Sequence, residues 1–151
     1  MGSMNLAARL ILSLPLFTAC GAPGSTTEMQ DSRKDNAIQL QYLEYVTSDV
    51  DATCAALAQQ QGVTFGEPAA ELGGARTAPL DGGGWLGVRG PLRPDETPVV
   101  RPYRLVDDLD AAVEAARAAG GEIALPPTEI PGRGTFAIYV HVGIEHGLWQ
   151  R

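Results

Sequence analysis

Tyr45-Val-Thr-Ser-Asp-Val-Asp-Ala52 runs into an alanine-rich segment that ends at Gly62, and Asp107-Asp-Leu-Asp-Ala111 runs into a second that ends at Gly121. The two stretches are in constant register. Fifty-nine residues separate Asp49 from Asp108, Asp51 from Asp110, Ala56 from Ala115 and Gly62 from Gly121. The offset persists through Gly73/Gly132, Ala78/Ala137 and Gly84/Gly143. A constant offset over so many positions suggests a duplicated module, so the chain is read as two halves.

Each half opens on the same local chemistry. Ile38–Val46 and Val99–Val106 read as strands, with Leu40, Tyr42 and Glu44 expected on one face and Leu43 and Tyr45 on the other. Asp49 and Asp108 are N-caps, since a short carboxylate can accept from the free N–H groups of the first turn. Val50, Cys54 and Leu57 recur at helical spacing, as do Leu109, Val113 and Ala116. Gly62 and Gly120-Gly121 end these helices. Val63–Phe65, Leu72–Ala78 and Trp85–Val88 are expected as strands in the first half, and Glu122–Leu125, Thr135–His141 and Ile144–Trp149 in the second. Gly82-Gly-Gly84 is a turn, and Pro91–Pro98 connects the halves. Each half is thus strand, helix, three strands, an α+β arrangement of two tandem βαβββ modules at about 37–90 and 98–151.

The segment before this pattern is different. Met1-Gly-Ser has the look of a vector remnant. Leu10–Phe17 is a short apolar run, below the roughly 20 residues that cross a bilayer. It ends in Phe17-Thr-Ala-Cys20, and small residues before a cysteine resemble a bacterial lipoprotein signal. In that reading Cys20 is lipidated, residues 21–36 form a polar tether, and the domain at 37–151 faces the periplasm or cell exterior. Otherwise the run stays with the chain and the protein is cytoplasmic.

Composition removes several chemistries. The formal charge is −7. Charged residues before 37 cancel, so the whole excess lies in 37–151, which argues against nucleic acid or an anionic membrane face. Contact with a membrane would come through the lipid anchor alone. Lys34 is the only lysine, so the folded part has no phosphate-loop or Schiff-base lysine. Ser48, before a helix, is the only serine after residue 36 and offers little to a serine-hydrolase reading. Gly82–Gly87 matches the letters of a dinucleotide motif, but Val88-Arg-Gly-Pro follows where a helix is needed. Cys54 falls on an apolar helix face and reads as core.

Two such halves resemble the vicinal oxygen chelate superfamily of glyoxalase I, bleomycin-resistance proteins and extradiol dioxygenases. The resemblance rests on Glu44-Tyr-Val-Thr-Ser-Asp49, Val106–Val113, Ala119-Gly-Gly121, Pro126–Tyr139 and the ending Gly143-Ile-Glu-His-Gly-Leu-Trp-Gln150, and it spans Ile38–Arg151. It implies a cupped mixed sheet with helices outside and a ligand cavity inside, and it allows a homodimer. Metal-dependent members place His, Gln or Glu on the first and last strands of each module. The first-strand ligand lies seven residues before the capping Asp, which falls here on Tyr42 and Arg101. The last-strand position falls on Gly147, with Val88 as its counterpart. Tyr, Arg, Val and Gly do not make a divalent-metal site.

Tyr42, Glu44, Arg101 and Tyr103 hold equivalent positions and are expected to face the cavity. They could orient a polar or aromatic ligand, or Glu44 and Arg101 could satisfy each other as a buried pair. Trp85 and Trp149 could stack on a flat ligand or pack in the core. His141, Glu145 and His146 have metal-ligand chemistry without a ligand spacing, and a turn bonding its own backbone is the plainer reading. With the register shifted by two, Glu44 and His141 would be the metal pair. The resulting expectation is a small-molecule-binding protein without cofactor; a metal-dependent lyase or dioxygenase, or an interaction module with a filled cavity, are the alternatives.

Overall fold

The two aspartates set the helix starts. Asp49 and Asp108 stay extended, at φ −134° and −133°, and each side chain accepts at 2.9 Å from the backbone N–H three residues on, Ala52 and Ala111. α1 spans Val50–Gln61 and α2 Leu109–Ala118. α1 stops where Gly62 turns left-handed at φ 68°, a conformation that costs glycine nothing. The computed structural model describes residues 37–151. The lipidation of Cys20, the apolar run and the 21–36 tether lie outside the described residues.

The strands are β1 Leu40–Val46, β2 Pro68–Ala69, β3 Ala75–Pro79, β4 Trp85–Arg89, β5 Val99–Leu105, β6 Glu122–Ile130, β7 Gly134–His141 and β8 Ile144–Gln150. They form one curled, mixed eight-stranded sheet in the order β2-β3-β4-β1-β5-β8-β7-β6. β1 and β5 run antiparallel at the centre, and each is flanked by a parallel partner, β4 beside β1 and β8 beside β5. The order strand, helix, three strands occurs in both halves.

Alternation along the strands divides the core. On the helix side, Cys54 and Leu57 of α1 pack on Leu86 and Val88, and Leu109 and Val113 of α2 pack on Ala137 and Leu148. On the other side Tyr42, Tyr103, Trp149, Leu72, Ala75 and Ile130 form a separate cluster. Burying each large apolar side chain is worth about 1.5–3 kcal/mol, so both faces of the sheet contribute. Cys54 is a buried core residue on α1, its thiol pushed up by burial.

Several elements differ from the sequence expectation. Val63–Phe65 is not a strand; Phe65 packs under α1 instead, and Pro68–Ala69 supplies the short edge strand. Leu72 belongs to a 3₁₀ turn, Ala70–Leu72, closed by left-handed Gly73, so β3 begins three residues later. β6 continues beyond Leu125 to Ile130, with one register break between Ile123 and Leu125 and a second between Leu125 and Thr128, across Pro126 and Pro127, which cannot donate to the ladder. Leu40 does not share the face of Tyr42. The register shifts at Gln41, and Leu40 lies opposite Arg104 while Tyr42 lies opposite Tyr103. Among the described residues no helix is long and apolar enough to cross a membrane.

Candidate functional site

The cup face of the sheet carries every second residue of its four central strands. β1 presents Tyr42 and Glu44, β5 Arg101 and Tyr103, β4 Gly87 and Arg89, and β8 Glu145, Gly147 and Trp149. The cavity above them has a volume of about 510 Å³. Its remaining walls come from Leu72 and Gly73, from β6 around Ile130, from Phe136 and Ile138 on β7, and from Leu92, Arg93 and Glu96 in the 90–98 connection.

The floor is aromatic. Tyr42, Tyr103, Phe136 and Trp149 touch one another with ring centroids 5.5–5.8 Å apart, in tilted, edge-on and one stacked arrangement. Trp149 is 1% exposed, and its indole N–H donates to the Arg133 carbonyl at 3.0 Å.

Beside the rings runs a chain of charges. Arg89 grips Glu96 with both terminal nitrogens, at 2.8 and 2.9 Å, and its Nε donates to Glu44 Oε1 at 2.6 Å. Arg101 donates to Glu44 Oε2 and, through Nε at 2.6 Å and through a terminal nitrogen, to Glu145 Oε2. Tyr103 donates to Glu44 Oε2 at 3.0 Å. Glu44, Arg89 and Arg101 are each 5% exposed, whereas the Glu145 side chain is 39% exposed. Glu96 is also fastened by the Leu92 N–H at 2.7 Å. Arg89's hydrogen bonds hold its carboxyl down at about 2. Burial, then the nearby Glu44 charge, pushes both phenols above the ordinary tyrosine value. Burial opposes the charge on both arginines, but the surrounding groups outweigh it and both are held above their usual range.

Two atoms here lack protein partners. Tyr42 Oη is buried without any hydrogen bond, and Glu145 Oε1 has none among the described residues.

Tyr42, Glu44, Arg101 and Tyr103 are therefore brought together on one cavity wall, with Glu44 and Arg101 paired. Trp85 lies apart. It lines a second hollow with Gln41 and Arg151, beneath the Arg133 guanidinium 4.9 Å from its ring. His141 is exposed at the end of β7, opposite Ile144, and does not line the cup, so it does not meet Glu44. Glu145 is no backbone-bonded turn residue but Arg101's partner. Alternation from Gly147 would have found it, and alternation from β4 would have found Arg89. Glu96 sits in an irregular connection and gives no periodic signal. Val88 is not the counterpart of Gly147, for it is buried against α1. Glu44 lies beside Gly87 as Tyr103 lies beside Gly147, so Gly87 holds that place.

These glycines bear on metal binding. A Cβ on Gly87 would stand 1.9 Å from Tyr42 Oη, and one on Gly147 would stand 2.1 Å from the Tyr103 ring. Each tyrosine fills the space a longer last-strand side chain would need. Among the described residues no group of three His, Cys, Asp or Glu could hold a metal ion. The nearest carboxylates, Glu44 and Glu145, are already joined by Arg101. This donor set does not fit a divalent metal.

No family model matches the chain, and no curated protein matches it. Solved structures do. Methylmalonyl-CoA epimerase from Mycobacterium tuberculosis is 17% identical, with a TM-score of 0.55 over 74% of this chain and 86% of that one. A variant of the Streptomyces coelicolor methylmalonyl-CoA epimerase, in complex with 2-nitronate-propionyl-CoA, is 18% identical, with a TM-score of 0.56 over 76% and 98%. A hypothetical protein from Bacillus halodurans is 11% identical, with a TM-score of 0.58 over 76% and 95%. The similarity is one of fold: residues 37–151 take the vicinal oxygen chelate fold.

Proposed function

We propose that this domain binds a small organic molecule in the cup of its sheet and does so without a metal ion. One observation carries the reading. A cavity of about 510 Å³ lies on the concave face, and the positions that bear metal ligands in metal-dependent relatives hold Tyr42, Arg101, Gly87 and Gly147. A cavity of this size, with an aromatic floor and a few fixed polar groups, has the make-up of a ligand site. The open volume above the sheet and the free Glu145 oxygen argue against an interaction module that fills its own cup.

The test is a thermal-shift and calorimetric screen of small organic molecules against the full chain, before and after chelation. Binding that raises Tm and survives EDTA supports the reading. Stoichiometric zinc, nickel or iron, lost together with binding or turnover, would overturn it.

The structural neighbours prompt a second reading, acid–base chemistry on an acyl-CoA. Glu145, with one free oxygen at the cavity, is the group to examine. Solvent deuterium entering methylmalonyl-CoA in the presence of the protein would establish that reading; no exchange over hours would remove it.

A further inference from the structure

We propose that the molecule held in the cup is an amphipathic cation, an apolar or aromatic body carrying a protonated amine, and that Glu145 receives its charged end. The inference rests on the small-molecule reading above and narrows it to one chemical class.

Charge comes first. Three carboxylates, Glu44, Glu96 and Glu145, share two guanidinium groups, Arg89 and Arg101, so the network carries one negative charge in excess. Four of these five side chains are 10% exposed or less. An uncompensated charge beside a low-dielectric wall draws a counter-charge more strongly than one in open water. The rim does not supply it. Arg93 is exposed and faces Asp95, Arg133 is turned to Glu71, and Glu129 adds a further negative group. No lysine stands among residues 37–151.

Hydrogen-bonding capacity comes second, and it is independent of the count. Both oxygens of Glu44 and of Glu96 are occupied by protein donors. Glu145 Oε2 is taken by Arg101, and Oε1 is left as an acceptor. The Tyr42 hydroxyl also lacks a partner, but it is buried against Gly87 and offers no free surface to a ligand. The two protein arginines are consumed inside the network, so what remains on offer is acceptor capacity. A ligand that donates fits it, and one bearing carboxylate or phosphate does not. The third element is the floor. Phe136, Ile138 and Leu92 provide apolar surface for the body, and the aromatic cluster around Phe136 also favours a cation. The acyl-CoA ligands of the structural neighbours carry the opposite charge.

The experiment offers a panel of mono- and bicyclic aromatic frames, each as the amine, the alcohol and the carboxylate, to the full chain at pH 7 and low salt. Affinities are read by isothermal titration calorimetry, with propionyl-CoA as a further arm. The amines should bind at least about tenfold more tightly than their alcohols, with the carboxylates weakest, as expected for one hydrogen bond to a charged acceptor. Raising the salt should narrow the gap. Glu145→Gln should remove most of it. Alcohols or carboxylates binding as tightly as the amines would overturn the cation while leaving the small-molecule reading standing, and so would tighter binding of propionyl-CoA. No binding by any frame in any charge state would overturn both.

Discussion

Arg101→Met is the perturbation that most directly tests whether the charge chain is structural. Arg101 joins Glu44 and Glu145, touches the Tyr103 hydroxyl at 3.4 Å, and is 5% exposed. Methionine keeps the apolar stem and removes the charge. The network then passes from one excess negative charge to two, with Glu44 left to Arg89 and Tyr103. Removing one member of a buried ion pair costs about 3–5 kcal/mol, because the other is stranded. For a domain of this size that is on the order of 10–25 °C in Tm. Glu145→Gln acts on the same link from the water side, where the side chain is 39% exposed and screened, and should cost less than about 1 kcal/mol. Urea denaturation at pH 7 measures both. Glu44→Leu combined with Arg101→Met takes away a carboxylate and a guanidinium together, leaving Arg89 still matched by Glu96. It should therefore cost at least about 2 kcal/mol less than the sum of the single changes. If Arg101→Met lies within about 1 kcal/mol of wild type and the double variant is additive, the network does not stabilise the fold, and the reasoning fails.

Acid should weaken the domain through Glu96. Its carboxyl sits at about 2 instead of about 4.5, so its contribution is present above the unfolded value and is lost as pH falls through the folded one. That contribution is about 3 kcal/mol; Glu96→Gln should remove it at pH 7 and change stability much less near pH 2, as read by urea midpoints across pH. Gly147→Ala should cost about 1–3 kcal/mol by overpacking and should impair binding, because its Cβ would fall 2.1 Å from the Tyr103 ring. Gly62→Ala meets no atom within 4 Å, so its cost should be the roughly 1 kcal/mol of a left-handed alanine, with binding unchanged in calorimetry.

What could be read from the sequence follows the range of the interactions involved. The helix starts were legible because Asp49 and Asp108 act on N–H groups three residues away. The cavity positions of Tyr42, Glu44, Arg101 and Tyr103 were legible because strand alternation carries a face forward from a fixed point. Alternation failed at Gln41, where an extra residue in β1 turns Leu40 to the other face, and no neighbouring residue announces the bulge. The same alternation reaches Glu145 and Arg89, each two residues from a cup glycine. The constant offset points to Val88, but it slips by one in the last strand, where sheet pairing sets the register and brings Gly87 to that place. Glu96 could not be found at all. Its place depends on an irregular connection folding back on Arg89, a contact that exists only once the sheet is built.

The tyrosines and glycines of the cup form matched pairs. Tyr42 fits because Gly87 has no side chain, and Tyr103 fits because Gly147 has none. Tyr103 in turn donates to Glu44, and Glu44 is the shared acceptor of Arg89 and Arg101. A metal-binding carboxylate at 147 would thus displace the ring that helps hold Glu44, while a ligand at 101 would remove the charge that answers Glu44 and Glu145. Neither exchange can be made alone without stranding a buried charge or forcing a clash. These positions are here tied into one packed and charge-linked set, which leaves one Glu145 oxygen and an aromatic floor at the cavity.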